Sequence, residues 1–224
     1  MFRRSITALS LIALSAAPLA AQMKDHDMKG HDPDNKVVGG KLPTGWMGRA
    51  DKGGKVEETK FAAMGKGWHV TTGPAAIYWS GAQKAAGPFT ASATFQQTKA
   101  PSHPEAYGMI FQGNNLSADN VSYAYFLVRG DGKFMVNHRA GGDVHKIVEW
   151  TDNAAIKKQD AKGVATNTLT VDASRPDSVR LKVNGVQVHA LDVAHFGNVA
   201  GNVGLRVNHN LDVHVSDFVV TPRK

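Results

Sequence analysis

The sequence has no cysteine among its 224 residues. This one absence excludes a disulfide scaffold, a thiol nucleophile, a zinc finger and an iron–sulfur cluster, each of which needs a sulfur ligand or bridge. Aromatic residues are sparse at 8%, while 23 glycines and 9 prolines indicate frequent turns. No collagen, heptad or low-complexity period is present. Several enzyme signatures are also missing: the Gly-x-Ser-x-Gly elbow, the Gly-Lys-Ser or Gly-Lys-Thr phosphate loop, the dinucleotide fingerprint and the His-Glu-x-x-His helix. With 42% hydrophobic and 20% charged residues, the composition is that of a globular chain able to bury a substantial core.

Residues 1–21 carry Arg3 and Arg4 ahead of an apolar run from Ile6 to Leu19, closing on Leu19-Ala20-Ala21. This pattern predicts a secretory signal peptide and a periplasmic or secreted destination of bacterial type. Its apolar part is shorter than the ~20 residues a membrane span needs, and no later segment approaches that length. Without Arg3 and Arg4 the formal charge falls from +7 to +5, with 24 basic against 19 acidic residues. The lysines and arginines are scattered rather than gathered on one element, so nucleic acid is not the expected partner.

Residues 22–36 contain almost nothing that could be buried and are expected to form a flexible tail. Within them His26 and His31 stand among Asp25, Asp27, Asp32, Met23 and Met28, a donor set suited to copper or another divalent metal. A solvated linker is the alternative reading, because a mobile chelate loses ordering entropy on binding. The sequence itself requires no cofactor.

From about residue 55 apolar residues recur with period two, and turn residues interrupt them roughly every ten positions. The segment from Phe89 to Phe95 alternates Phe and Ala with Thr and Ser, as expected of a half-buried strand. Further strands are predicted at 68–72, 76–79, 106–112, 122–129, 133–139, 144–150, 168–172, 179–183, 186–191, 203–208 and 211–220. No helical period follows the signal. Asn184-Gly185 suits a two-residue hairpin that sets Val183 against Val186, Leu181 against Val188 and Arg180 against His189. A second hairpin is expected to join Val203, Leu205 and Val207 to Leu211, Val213 and Val215. A two-residue turn at Asp131-Gly132 places Tyr123, Tyr125, Leu127 and Arg129 on one face with Phe134, Val136 and His138. Both faces of that hairpin mix apolar and polar groups, which suggests a mid-sheet pair with a core beneath and a lined groove above. About a dozen strands in one domain over 37–224 predict an all-β, two-sheet antiparallel jelly-roll sandwich.

Three segments carry a resemblance. Gly39-Gly40-Lys41-Leu42-Pro43-Thr44-Gly45-Trp46, Val183-Asn184-Gly185, and Gly201-Asn202-Val203-Gly204-Leu205-Arg206 through Asp217-Phe218-Val219-Val220 resemble the concanavalin A-like lectin and glucanase superfamily. They are most similar to its 3-keto-disaccharide hydrolase domain family. The resemblance implies a jelly-roll sandwich and a sugar ligand, and in that family a glycoside hydrolase. Where the family carries a Gly-Tyr-Glu-x-Gln strand, this chain has Ser122-Tyr123-Ala124-Tyr125-Phe126 and lacks the acid. The Glu-x-Asp-x-x-Glu strand of the laminarinase branch is matched only by Glu149-Trp150-Thr151-Asp152, without a third carboxylate, which argues against retaining endoglucanase chemistry.

The candidate ligand-binding residues are Tyr123, Tyr125, Arg129, His138 and Arg139, which offer aromatic planes and fixed donors to a carbohydrate or small polar ligand. Candidate acid–base residues are His138, His209, Asp212 and Glu105. His103 lies two residues before Glu105 in a Pro-rich loop, where the two could form a metal or acid–base pair or merely shape a turn. The leading expectation is an exported carbohydrate-binding module, with a glycoside hydrolase of the 3-keto-disaccharide type and a metal-binding protein acting through its tail as alternatives.

Overall fold

A computed structural model describes residues 33–51, 53–195 and 197–223. The predicted signal peptide, together with His26 and His31, lies outside the described residues. Among those residues there are fourteen strands: β1 (Trp46–Ala50), β2 (Thr59–Met64), β3 (Gly67–Thr72), β4 (Ala76–Ala85), β5 (Phe89–Gln97), β6 (Ala106–Asn114) and β7 (Ser122–Arg129) precede β8 (Lys133–Ala140), β9 (Asp143–Asp152), β10 (Ala165–Ala173), β11 (Ser178–Val183), β12 (Val186–Asp192), β13 (Gly201–Val207) and β14 (Asp212–Pro222). Apart from them the secondary structure comprises two short 3₁₀ turns, Val56–Glu58 and Val193–His195. No helix among the described residues is long and apolar enough to cross a membrane.

The strands form two seven-stranded antiparallel sheets. The first has the order β1-β4-β13-β6-β7-β8-β9 and the second β12-β11-β10-β5-β14-β3-β2. Their facing sides share one core that includes Tyr78, Tyr107, Phe111, Phe126 and Val136 from the first sheet and Phe89, Phe95, Leu169, Val171 and Leu181 from the second. The period-two patterns explain this architecture, because each strand delivers every second side chain to the space between the sheets.

Three expectations about pairing need correction. The Asn184-Gly185 turn forms with both residues at positive φ, 50° and 83°, and Val183 opposes Val186 as expected. A bulge then shifts the register, so Leu181 opposes His189 rather than Val188. The central hairpin is closed by Gly132 N–H donating to the Arg129 carbonyl at 3.0 Å, with Gly132 at φ +94°, and pairing begins at Val128–Phe134. This is one residue out of step with a two-residue turn. Tyr123, Tyr125 and Leu127 therefore share a face with Arg139, Asn137 and Met135, while His138 lies opposite Ala124 on the other face. Finally, β13 and β14 are not hairpin partners. The chain crosses between them from one sheet to the other, so Val203, Leu205, Val207, Val213 and Val215 enter the same core from opposite sides.

Two strands escaped the periodicity. β1 is short and alternates poorly, and β2 ends in Ala-Ala-Met with little apolar contrast.

Candidate functional site

A cleft lies where the sheets part, between the edge strands β9 and β12. It has a volume of about 560 Å³. Gln112, Asn114, Ser122, His138, His145, Lys146, His189 and Asp192 give it polar walls, and Ile147, Ala190 and Leu191 supply apolar surface.

Register puts three imidazoles there. His138 follows the inward parity of Phe134 and Val136 but lies beyond the packed centre of β8. His145 is its direct partner on β9, and paired residues of an antiparallel ladder share a side. Their rings stack with centroids 6.1 Å apart. His189 opposes buried Leu181 because of the β12 bulge, which turns its ring inward to within 6.3 Å of Phe134. Re-aiming a side chain is a recurrent use of such bulges. Burial lowers the pKa of His138, reinforced by the neighbouring His145, and burial alone lowers that of His189. Neutral rings both donate and accept hydrogen bonds, and His138 Nε2 already lies 3.0 Å from Ser122 Oγ.

The backbone is strained beside the cleft. Gln112 is a non-glycine residue at φ 54°, at a point where β6 breaks register with both of its neighbours. Its side chain donates to the Asn198 carbonyl at 2.6 Å, and Asn114 donates back to the Gln112 carbonyl at 2.9 Å. Such outliers persist where surrounding contacts hold them, often next to ligand sites.

Tyr123 and Tyr125 are elsewhere, on the outer face of the first sheet, and only 2% and 6% exposed. They pack with Ile77, Trp79, Ile110, Leu116, Val121 and Leu127 in a second core. Arg206 from β13 lies over the Tyr125 ring at 5.1 Å and donates to Tyr123 Oη at 3.4 Å. It also forms a fork with Asp51 at 3.1 and 2.6 Å, and Arg139 approaches the same carboxylate at 3.6 Å. Burial works against ionisation of Asp51, but Arg206 above all, with Arg139 and Arg49, outweighs it and lowers the pKa. The expected groove is thus filled by the protein's own guanidinium groups. Arg129 lies on that face too, stacked 4.5 Å over Trp150 and paired to Asp131 at 3.0 and 2.6 Å.

The acid–base candidates divide among three places. His138 is in the cleft. Glu105 and His209 meet at the other end of β6, with Glu105 Oε1 2.7 Å from His209 Nε2. The seven-residue span from Glu105 to Gln112 separates that pair from the cleft by roughly 23 Å of strand. Asp212 lies on the outer face of the second sheet, 3.0 Å from His69 Nε2 and 3.5 Å from Lys99 Nζ, and accepts hydrogen bonds from Thr71 and Thr98. Burial would raise its pKa, but Thr98, His69 and Lys99 prevail and lower it.

Sequence reasoning singled out neither His145 nor His189 nor Asp34. The first two converge only because of bulges and because β9 and β12 border the same gap. Asp34 falls in the stretch read as a tail, whose described end is attached: Asn35 N–H donates to Asn210 Oδ1 at 2.7 Å, and Asn210 Nδ2 to the Pro33 carbonyl at 3.0 Å.

No family model and no curated protein matches the chain. Among solved structures, it is similar to a Bacteroides ovatus mixed linkage glucan GH16 in complex with a G4G4G3G product, at 10% identity and a TM-score of 0.52, over 79% of this chain and 93% of that one. It is also similar to the Emp47p carbohydrate recognition domain, at 10% identity and a TM-score of 0.48 over 86% and 94%. A third is the Caenorhabditis elegans galectin LEC-6, at 12% identity and a TM-score of 0.41 over 73% and 95%. The first of these likenesses supports the fold seen here, an all-β, two-sheet antiparallel jelly-roll sandwich.

Proposed function

We propose that this is an exported carbohydrate-binding protein that takes a sugar-sized, polyhydroxylated ligand in the cleft between β9 and β12. The observation that carries the reading is the cavity of about 560 Å³ whose walls combine imidazoles, amides and a hydroxyl with apolar surface. Sugars present hydroxyl groups around faintly apolar ring faces, and pockets that bind them combine a few directed polar groups with apolar surface. The carbohydrate class is favoured by the fold shared with a glucan-bound GH16 structure, and export by the predicted signal peptide. This site replaces the Tyr123 and Tyr125 groove expected from the sequence, retaining His138 from that set. Calorimetric titration against a panel of mono- and oligosaccharides tests it. Saturable binding should weaken about tenfold when His138 or His189 becomes Ala, the scale of one lost buried hydrogen bond. Binding to no sugar class, or binding unaffected by both changes, sinks it.

A second reading is favoured by Asp192, a carboxylate lining the same cleft as the three imidazoles. With His138 it supplies an acid and a base for glycosidic cleavage, the chemistry implied by resemblance to the 3-keto-disaccharide hydrolase family. Release of free sugar from a 3-keto-glycoside, lost in Asp192→Asn, supports it. Binding without release leaves the lectin reading alone standing.

A further inference from the structure

We propose that His103, Glu105 and His209 form a binding site for one divalent transition-metal ion of the zinc class, remote from the cleft. Among the described residues these are the three His or carboxylate side chains whose donor atoms all lie within 4.8 Å of one another. They come from two segments that the fold clamps together. His103 and Glu105 precede β6, His209 lies in the crossing between β13 and β14, and Asn208 N–H donates to the Ala106 carbonyl at 2.9 Å to hold the crossing against the start of β6.

Glu105 Oε1 is 2.7 Å from His209 Nε2 and 3.5 Å from His103 Nε2. The two rings meet edge-on, with centroids 5.1 Å apart and planes at 83°. A tetrahedral ion with bonds of about 2.1 Å keeps its ligands about 3.4 Å apart, so His103 is already at coordinating separation from the carboxylate and His209 needs to retreat by less than about 1 Å. The side chains of His209 and Glu105 are only 13% and 11% exposed, whereas His103 at 37% leaves a way in.

An independent observation comes from Asp34, whose Oδ1 lies 3.3 Å from His209 Nδ1. His209 thus turns Nε2 towards the shared centre and offers its other nitrogen to a carboxylate. That is the outer partner metal-bound imidazoles almost always have, because it fixes the ring and raises the basicity of the ligating nitrogen. Two imidazole nitrogens and one carboxylate oxygen suit zinc, cobalt, nickel or copper better than magnesium or calcium, which take oxygen ligands. Three protein ligands leave a fourth position for water or a ligand.

The test uses the full chain, stripped with chelator, reloaded with Zn²⁺ and dialysed. Metal analysis should find one retained equivalent, and Co²⁺ in its place should give visible absorption of tetrahedral character. His209→Ala and Glu105→Gln should each lose that equivalent, Asp34→Asn should weaken Zn²⁺ about tenfold, and the double change of His26 and His31 to Ala should leave it intact. His103→Ala, at the most exposed ligand, gives the same loss should either buried variant fail to fold. Stripped protein that takes up neither ion, or His103→Ala and Glu105→Gln variants that retain the equivalent unchanged, would overturn the site.

Discussion

Asp172 illustrates how single side chains on the sandwich surface bear on stability. On the outer face of the second sheet it accepts from Arg180 at 2.8 Å, Lys182 at 3.0 Å and Ser174 Oγ at 2.6 Å. Burial opposes its charge, but these partners win and lower its pKa to about 2. A carboxyl group with a depressed native pKa stabilises the fold above its unfolded value near 4, and that contribution vanishes as pH falls through the native value. Allowing for the partly exposed cations, Asp172→Asn should cost about 1–2 kcal/mol at pH 7 and flatten the decline in unfolding free energy between pH 4 and 2, as read by urea denaturation. His138 and His189 act in a higher window. Their pKa values are also lowered, so the unfolded chain binds protons more readily. Their share of stability is complete above about pH 6.5 and fades as pH drops below it. Melting temperatures measured from pH 7.5 to 5 should therefore fall, and less steeply in a His138→Gln, His189→Gln variant. An unchanged slope would mean that neither ring is buried as described.

At the level of elements, the Gly-x-x-Gly-Leu segment of the resemblance has a physical explanation. A Cβ on Gly204 would meet the Tyr78 carbonyl at 2.3 Å, because β13 is pressed against β4 at a break in register. Gly201 sits at φ 142° with the Gln112 backbone 2.8 Å from its would-be Cβ. Gly185 is a different case: its φ is 83°, and the space around it is open. Gly204→Ala must displace backbone and should cost roughly 2 kcal/mol or more, whereas Gly185→Ala should cost only about 1 kcal/mol for the strained φ. Equal losses in the midpoint of chemical denaturation would contradict this account. The same segments show what could be read from the chain alone. Strand positions followed from alternation, and the Asn184-Gly185 turn from its dipeptide. Bulges left no comparable mark. One extra residue in β12 and one residue's difference at the central hairpin decided which faces His189, His138 and Arg139 occupy. The groove expected over Tyr123 and Tyr125 failed for a non-local reason, since its filler, Arg206, arrives from a strand some eighty positions away, and no local pattern reports which strand will lie beside which.

For the molecule as a whole, the order of strands matters as much as their number. β13 lies between β4 and β6 in the first sheet, and β14 lies between β5 and β3 in the second. The two latest strands in the sequence are therefore interior to both layers, and each brings together partners made much earlier. A ribosome-bound or truncated polypeptide that ends before Gly201 has neither layer complete and leaves four strand edges unpaired. Closing such distant partners is slow, because loop entropy is lost before the contacts that offset it are made. Both β13 and β14 must then be made before cooperative folding of either layer begins, so the earlier strands wait in an open, unpaired state. A fragment covering residues 33–200 should show no cooperative thermal transition and should bind a dye for exposed apolar surface. A sharp transition in that fragment would show that the two layers can close without their central strands.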